Sequence, residues 1–265
     1  MIAGLDRAGA APSPAPATCA DALPDEASLS PVYAYLRRPS LVDFRSHLAA
    51  VFFVSGCNFR CGFCHNAALL GQPRPGMPWS RLAEACTRFR DNWVDAAVIT
   101  GGEPTLAGEL TALIQFLKGF GWAVKLDTNG SNPDIVRRCL PLVDYVAMDV
   151  KAGPSRYAEL TGCPDTESIR ASVRLIMQEA RDYEFRTTLI DPFHDDDQVH
   201  EIGSLLNGAR RAVLQPFVPK EDLPNPGLRA LSRTSPDRLR EARDLLRGCA
   251  QHVTILGEAG NVGPA

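Results

Sequence analysis

Residues 95–130, DAAVITGGEPTLAGELTALIQFLKGFGWAVKLDTNG, hold the reading that decides the fold. DAAVITGG (95–102) is an apolar run that stops at two glycines. GELTALIQFLKGFG (108–121) spaces its apolar residues for a helix and closes on glycine, and AVKLDTNG (123–130) is a second apolar run ending in a turn. Strand, helix, strand is a βαβ unit, and strands this continuously apolar belong to a parallel sheet covered by helices.

The same alternation extends both ways. Strands are expected at LAAVFFVS (48–55), YVAMDVKA (145–152), YEFRTTLI (183–190), RRAVLQPFV (210–218) and HVTILG (252–257). Helices are expected at WSRLAEACTRFRDNW (79–93), with Ser80 as N-cap and Ala83 and Ala85 inside, and at NPDIVRRCLPLV (132–143), with Pro133 in the first turn. Further helices are expected at 166–182, 196–209 and 235–249. This gives six βα units and a weaker seventh. The pattern alone leaves open a doubly wound sheet, an incomplete barrel and a closed one.

The chain has 265 residues, 45% hydrophobic and 22% charged, a globular composition. Its net charge of −3 offers no broad basic field for a nucleic-acid backbone. No uncharged apolar window reaches about 18 residues, so no membrane span is expected. MIAGLDRAGAAPSPAPATCADALPDEAS (1–28) lacks the apolar core of a signal peptide. It reads as a flexible leader, with a core domain at 29–220 and a C-terminal extension packed on it at 221–265; the expected compartment is the cytoplasm. Eight cysteines fall at 19, 57, 61, 64, 86, 139, 163 and 249. Without an export signal they do not suggest a disulfide framework. Cys86, Cys139 and Cys249 read as small buried hydrophobes; Cys19 lies in the leader and Cys163 in a loop.

Three motifs follow successive strands, where α/β folds gather ligands. VSGCNFRCGFCHN (54–66) packs Cys57, Cys61 and Cys64 into one loop. A structural zinc wants a fourth ligand and usually a second CxxC pair; a catalytic zinc with three cysteines and a water leaves the spacing unexplained. Three thiolates on a four-iron cube leave one iron open. His65 reads as a contact to the fold or to the ligands of the site. TGGEP (100–104) lacks the lysine of a P-loop. Its glycines, Gly101 and Gly102, allow close backbone approach to a ligand, and Glu103 is either solvated or holds an ammonium group. Asp127 with Thr128, and Asp149 with Lys151, sit at the next strand ends; a charged pair there is a salt bridge or a polar ligand site. Arg186 breaks an apolar strand in the same way. In DPFHDDDQ (191–198), His194 and the aspartates read as surface residues at an acidic helix start.

CxxxCxxC followed by HN, then TGGEPTL, KLDTNG and VAMDVKA, resembles the radical S-adenosylmethionine (SAM) superfamily. With SLVDF (40–44), YEFRTT and LQPF, the set is similar to the glycyl-radical-enzyme activating branch, most of all the longer activating proteins of anaerobic ribonucleoside-triphosphate reductase, over residues of about 36 to about 220. The resemblance implies a partial (β/α)6 barrel, open on one side, with a helix–strand extension. It implies a [4Fe–4S] cluster on Cys57, Cys61 and Cys64, with SAM chelating the open iron and cleaved to a 5′-deoxyadenosyl radical. That radical takes hydrogen from a glycine of a partner, a glycyl radical enzyme such as anaerobic ribonucleotide reductase. Phe63 would then pack near the adenine. Gly101, Gly102 and Glu103 would hold the methionine amino end, and Lys151 would reach its carboxylate. Asp127, Thr128 and Asp149 match positions that bind a monovalent cation in relatives. A histidine that some relatives carry after the sixth core strand is replaced here by Val218. No insert with further CxxC pairs interrupts 66–95, so the electron is expected from flavodoxin or ferredoxin. Two other readings share these residues: a radical SAM enzyme acting on a small molecule or peptide, and a zinc-binding module without redox chemistry.

Overall fold

The computed structural model describes residues 28–257. Cys19 and the leader before Ser28 lie outside the described residues. Eight strands form one sheet in strictly sequential order. They are β1 (Ala34–Tyr35), β2 (Ala49–Val54), β3 (Ala96–Gly101), β4 (Ala123–Thr128), β5 (Tyr145–Asp149), β6 (Tyr183–Leu189), β7 (Ala209–Pro216) and β8 (Ala250–Ile255). β1 runs antiparallel to β2, and every later pair is parallel. A doubly wound sheet reverses its strand order at a switch point. Sequential order does not, so the sheet curls one way, and because its two ends are β1 and β8 it stays open. This is a partial barrel with a helix–strand extension.

The helices are α1 (Trp79–Arg90), α2 (Leu110–Lys118), α3 (Pro133–Cys139), α4 (Tyr157–Thr161), α5 (Thr166–Glu179), α6 (Asp196–Leu205), α7 (Pro226–Arg229) and α8 (Pro236–Leu245). Most of the core lies between them and the outer face of the sheet. A small second cluster of Phe44, Ala49, Val51, Ala96 and Val98 fills the inner face. Phe44 enters from the loop before β2, with its ring 5.6 Å from Tyr145, and floors the barrel. Ser80 is not the cap of α1. The helix starts at Trp79 after Pro78, whose φ of −55° and ψ of 145° are extended and place it as the capping residue, and no side chain caps the helix. α3 begins as expected, with Pro133 in its first turn and the Asn132 side chain accepting from Ile135 N. Cys86 and Cys139 are buried, whereas Cys249 is only half-buried.

Candidate active site

β2 delivers the cysteines. It is apolar because both faces are covered, and it ends at Gly56, whose φ of +88° turns the chain. The loop is then held on several sides: Cys57 N donates to Gly71 O (3.0 Å), Arg60 N to Thr161 O (2.7 Å) and Asn225 N to Gly62 O (3.0 Å). All three thiols are free. The Phe59 N–H points at Cys57 Sγ at 3.4 Å. Burial pushes the Cys61 thiol up to about 12, against the pull of the Lys151 ammonium. Burial likewise raises Cys57 and Cys64.

The glycine turn after β3 leans on that loop. Gly101 has φ +117°, and a Cβ there would meet Val54 O at 2.4 Å; a Cβ on Gly102 would meet Gly56 O at 2.0 Å. The close approach these glycines permit is to the cysteine-bearing strand, a neighbour the sequence does not reveal. Glu103 is buried at 1% exposure, not solvated. Its Oε1 accepts from Thr105 N (3.0 Å), Thr105 Oγ1 (2.6 Å) and Thr128 Oγ1 (2.7 Å), and its Oε2 from Asn129 N (2.6 Å). Burial raises this carboxyl and the donated bonds oppose the rise. Glu103 therefore ties the turn after β3 to the turn after β4.

Beside it lies an ionic cluster. Asp149 accepts from Arg186 Nε (2.9 Å) and Lys151 Nζ (3.0 Å). Arg186 Nη1 also donates to Asp127 (3.2 Å). The other oxygen of Asp127 lies 3.3 Å from Lys125 Nζ yet is a buried acceptor with no hydrogen bond. Burial alone would raise Asp149, but the Arg186 and Lys151 charges reverse it to about 2. Burial opposes charge on Lys151, and Asp149 more than restores it, so its pKa is raised. The Lys151 ammonium also lies 5.6 Å from the ring centre of Phe63.

These groups converge on one cavity of about 390 Å³. All eleven residues singled out line it: Cys57, Cys61, Phe63, Cys64, Gly101, Gly102, Glu103, Asp127, Thr128, Asp149 and Lys151 are all in its wall. Arg186, Asn129, Thr188, Gln215 and Asp43 line it too. Arg186 was visible as a charge in an apolar strand; Asn129, Thr188 and Gln215 gave no signal beyond their place at strand ends. His65 Nε2 donates to Val218 O at 3.0 Å. His194 is a correction. It is fully buried, not on the surface: its Nδ1 accepts from Ile190 N (2.9 Å) and its Nε2 donates to the Lys151 carbonyl (2.9 Å). Burial holds it neutral, with its pKa lowered. The aspartates that follow it are exposed.

The sequence matches the radical SAM superfamily over residues 51–206. It is 30% identical over 224 residues to a candidate glycyl-radical enzyme activating enzyme of Methanocaldococcus jannaschii, covering 82% of this chain and 92% of that one. It is 27% identical over 191 residues to the 7-carboxy-7-deazaguanine synthase of Thermococcus kodakarensis, covering 63% and 73%. Among solved structures, Streptococcus suis SuiB bound to its precursor peptide SuiA superposes with a TM-score of 0.62 at 15% identity, over 78% of this chain and 48% of SuiB, about half that protein's length. The last is a likeness of fold. The chain belongs to the radical SAM superfamily. It is therefore an oxidoreductase that cleaves SAM at an iron–sulfur site to generate a radical, and its relatives reach glycyl-radical-enzyme activation and other radical SAM chemistry alike. Among the described residues no helix is long and apolar enough to cross a membrane.

Proposed function

We propose that Cys57, Cys61 and Cys64 hold three irons of a [4Fe–4S] cluster and that SAM and a polar organic substrate, a small molecule or a peptide, share the cavity beside them. The donor set fits. Among the described residues no three His, Cys, Asp or Glu side chains stand close enough to share one metal ion, which disfavours a single zinc but not a cluster whose ligands sit on different irons. Buried thiols resist ionisation until a cation is bound, and the main-chain N–H at Cys57 Sγ suits a thiolate. When bound, the cluster and SAM supply one-electron cleavage of the sulfonium and a radical that takes a hydrogen atom from the substrate.

The chain's own residues orient and shield. Lys151, kept charged by Asp149, is the cation for the methionine carboxylate. Because the Glu103 carboxylate is engaged within the protein, the Gly101–Glu103 turn offers an amino group chiefly its main chain. Phe63 gives the adenine an apolar wall. Arg186 already joins Asp127 to Asp149, and the Thr128 hydroxyl is bonded to Glu103, so a separate monovalent cation is not required there.

The observation that carries this reading is the meeting of three free thiols, the glycine turn and the Asp149–Lys151 pair in one polar cavity. Thr188 and Gln215 continue its polar lining toward β6 and β7, which suits a polar small molecule or a peptide main chain. A second reading, activation of a glycyl radical enzyme, rests on the M. jannaschii relative. Anaerobic reconstitution, reduction and electron paramagnetic resonance with and without SAM test the chemistry. A four-iron signal that SAM alters, with 5′-deoxyadenosine formed, is expected; tight zinc and no SAM cleavage would refute it. Deuterium transfer into 5′-deoxyadenosine from labelled candidate substrates separates the two readings.

A further inference from the structure

Lys151 leaves the sheet on a stretch that other elements hold in place. β5 ends at Asp149, and α4 begins at Tyr157. Between them the main chain is braced by side chains from β6 and from the chain around the start of α6. Thr187 Oγ1 donates to the Val150 carbonyl (2.8 Å), and His194 Nε2 donates to the Lys151 carbonyl (2.9 Å). Gln198 Oε1 accepts from Gly153 N (3.0 Å), and Glu201 Oε2 accepts from Ser155 N (2.9 Å). His194 is the brace on Lys151 itself, and it does not line the cavity.

The imidazole is fixed from both sides. Nδ1 faces the main-chain N–H of Ile190 at 2.9 Å and must present its lone pair there. The ring proton therefore sits on Nε2, where it meets the Lys151 carbonyl. The ring is fully buried, so each of these bonds would be costly to lose. The main chain around it is held from outside. Arg238 of α8 donates Nη2 to the His194 carbonyl (2.7 Å), and Arg156 donates Nη1 to the Phe193 carbonyl (2.8 Å). A run of fixed contacts thus leads from α8, through His194, to the backbone that carries Lys151. The far end of that lysine has a task that tolerates little movement. Its ammonium lies 3.0 Å from Asp149 and 5.6 Å from the Phe63 ring centre, in the cavity wall. A binding group must be held within about 0.5 Å of its productive position. The four-carbon stem of lysine is flexible, so the aim of the ammonium depends on where the main chain is anchored.

We propose that His194 is a positioning residue for SAM binding: by fixing the Lys151 carbonyl it sets where the Lys151 ammonium meets the methionine carboxylate. The inference rests on the reading of Lys151 as the cation for that carboxylate. His194 touches neither the ligand nor the thiols; it acts through Lys151. Arg238 extends the same hold outward, which gives the C-terminal extension a part in ligand binding.

The test measures SAM affinity by equilibrium dialysis on the full chain, reconstituted anaerobically. The proteins are wild type, His194→Gln, His194→Asn, Lys151→Met and the double variant His194→Asn/Lys151→Met. A glutamine amide can still donate to the Lys151 carbonyl, whereas the shorter asparagine can only accept from Ile190 N. The glutamine variant is expected to bind SAM within about twofold of wild type, and the asparagine variant about tenfold more weakly. With Lys151 already replaced, the asparagine change should add less than about twofold, because the two residues act in series. Equal losses for glutamine and asparagine would overturn the proposal, and so would an asparagine loss that persists undiminished without Lys151, since either assigns the effect to packing. In the same proteins without SAM, acylation of Lys151 by an amine-reactive ester is read by mass spectrometry. It should quicken about tenfold in the asparagine variant and stay within about twofold in the glutamine variant. An unchanged rate in the asparagine variant would also overturn the proposal. If that variant does not fold, Arg238→Met takes its place, because it loosens the outer hold on the His194 carbonyl. A shift of about threefold is then expected in both readouts, and no shift in either counts against the proposal. A Lys151→Met protein that binds SAM as wild type does would refute the reading of Lys151, and the acylation rates would still decide whether His194 sets the lysine.

Discussion

Replacing Glu103 with glutamine exchanges one oxygen for an amide nitrogen at a side chain that is 1% exposed. The carboxylate receives four hydrogen bonds, three on Oε1 and one on Oε2. If the glutamine oxygen takes the place of Oε1, the amide faces the Asn129 N–H, at 2.6 Å in the wild type, donor against donor. If it takes the place of Oε2, the amide faces Thr105 N and two hydroxyls; the hydroxyls can rotate, but the main-chain N–H cannot. Either way one buried main-chain N–H loses its acceptor, at about 1–3 kcal/mol. Loss of charge assistance on the surviving bonds adds to this, and relief from burying a charge subtracts. The expected net loss is about 2–3 kcal/mol, a large share of a typical domain's stability. Thr105→Ala, which removes one of the four donors and leaves no main-chain N–H unpaired, should cost nearer about 1 kcal/mol. Equilibrium urea unfolding of the metal-free protein under reducing, anaerobic conditions reads both. A Glu103→Gln protein within about 0.5 kcal/mol of wild type that nevertheless loses SAM binding would refute the reasoning. It would mean that the carboxylate serves the ligand rather than the fold.

Gly102→Ala places a Cβ at 2.0 Å from Gly56 O, whereas real contacts essentially never fall under 3.0 Å, so the glycine turn and the cysteine loop must separate by at least 1.0 Å. The iron-to-protein ratio after reconstitution should fall, and an unchanged ratio would show that the two loops are not so closely coupled. Arg186→Met leaves Asp127 and Asp149 buried without their shared guanidinium, and should cost about 3–5 kcal/mol in the same unfolding assay. His194 is held neutral with its pKa lowered, so between the unfolded value near 6.5 and the lower folded one the unfolded chain binds more protons. The contribution of His194 is thus fully present above that unfolded value and is lost as pH falls below it. His194→Gln should flatten this part of the stability–pH curve, and an unaltered slope would assign it to other groups.

The parallel strands were legible because burial on both faces writes itself as continuous apolar runs. Each observed strand from β2 to β8 starts or ends within two residues of its expected bounds. β1 was not legible: two residues at an antiparallel edge carry no period to detect. α4 and α7 were missed because helices of five and four residues have no amphipathic face long enough to read. Ser80 misled because a capping residue type outweighed the Pro78 before it. The choice between a doubly wound sheet and a barrel was beyond the pattern, since it depends on which strands become neighbours.

The site was legible in its parts and not in its connections. Polar residues after successive parallel strands must share a rim, so the meeting of Cys57, Glu103, Asp127 and Asp149 in one cavity followed from topology. Which partner each side chain takes did not. Gly101 and Gly102 read as glycines that admit a ligand, and their tightest contacts are to Val54 and Gly56. His194 sits in an acidic helix start that reads as surface, yet its ring turns inward to the carbonyl of Lys151. The consequence is physical as well as interpretive. The rim is braced by bonds among its own side chains, from Glu103 across two turns and from Arg186 across two aspartates. The chemistry it leaves to a ligand is thereby narrowed to three thiols, one lysine, main-chain groups and the polar side chains of Thr188 and Gln215. A site preorganised in this way needs little reordering to accept an anionic and a cationic group side by side, as the carboxylate and amino group of an amino acid present them.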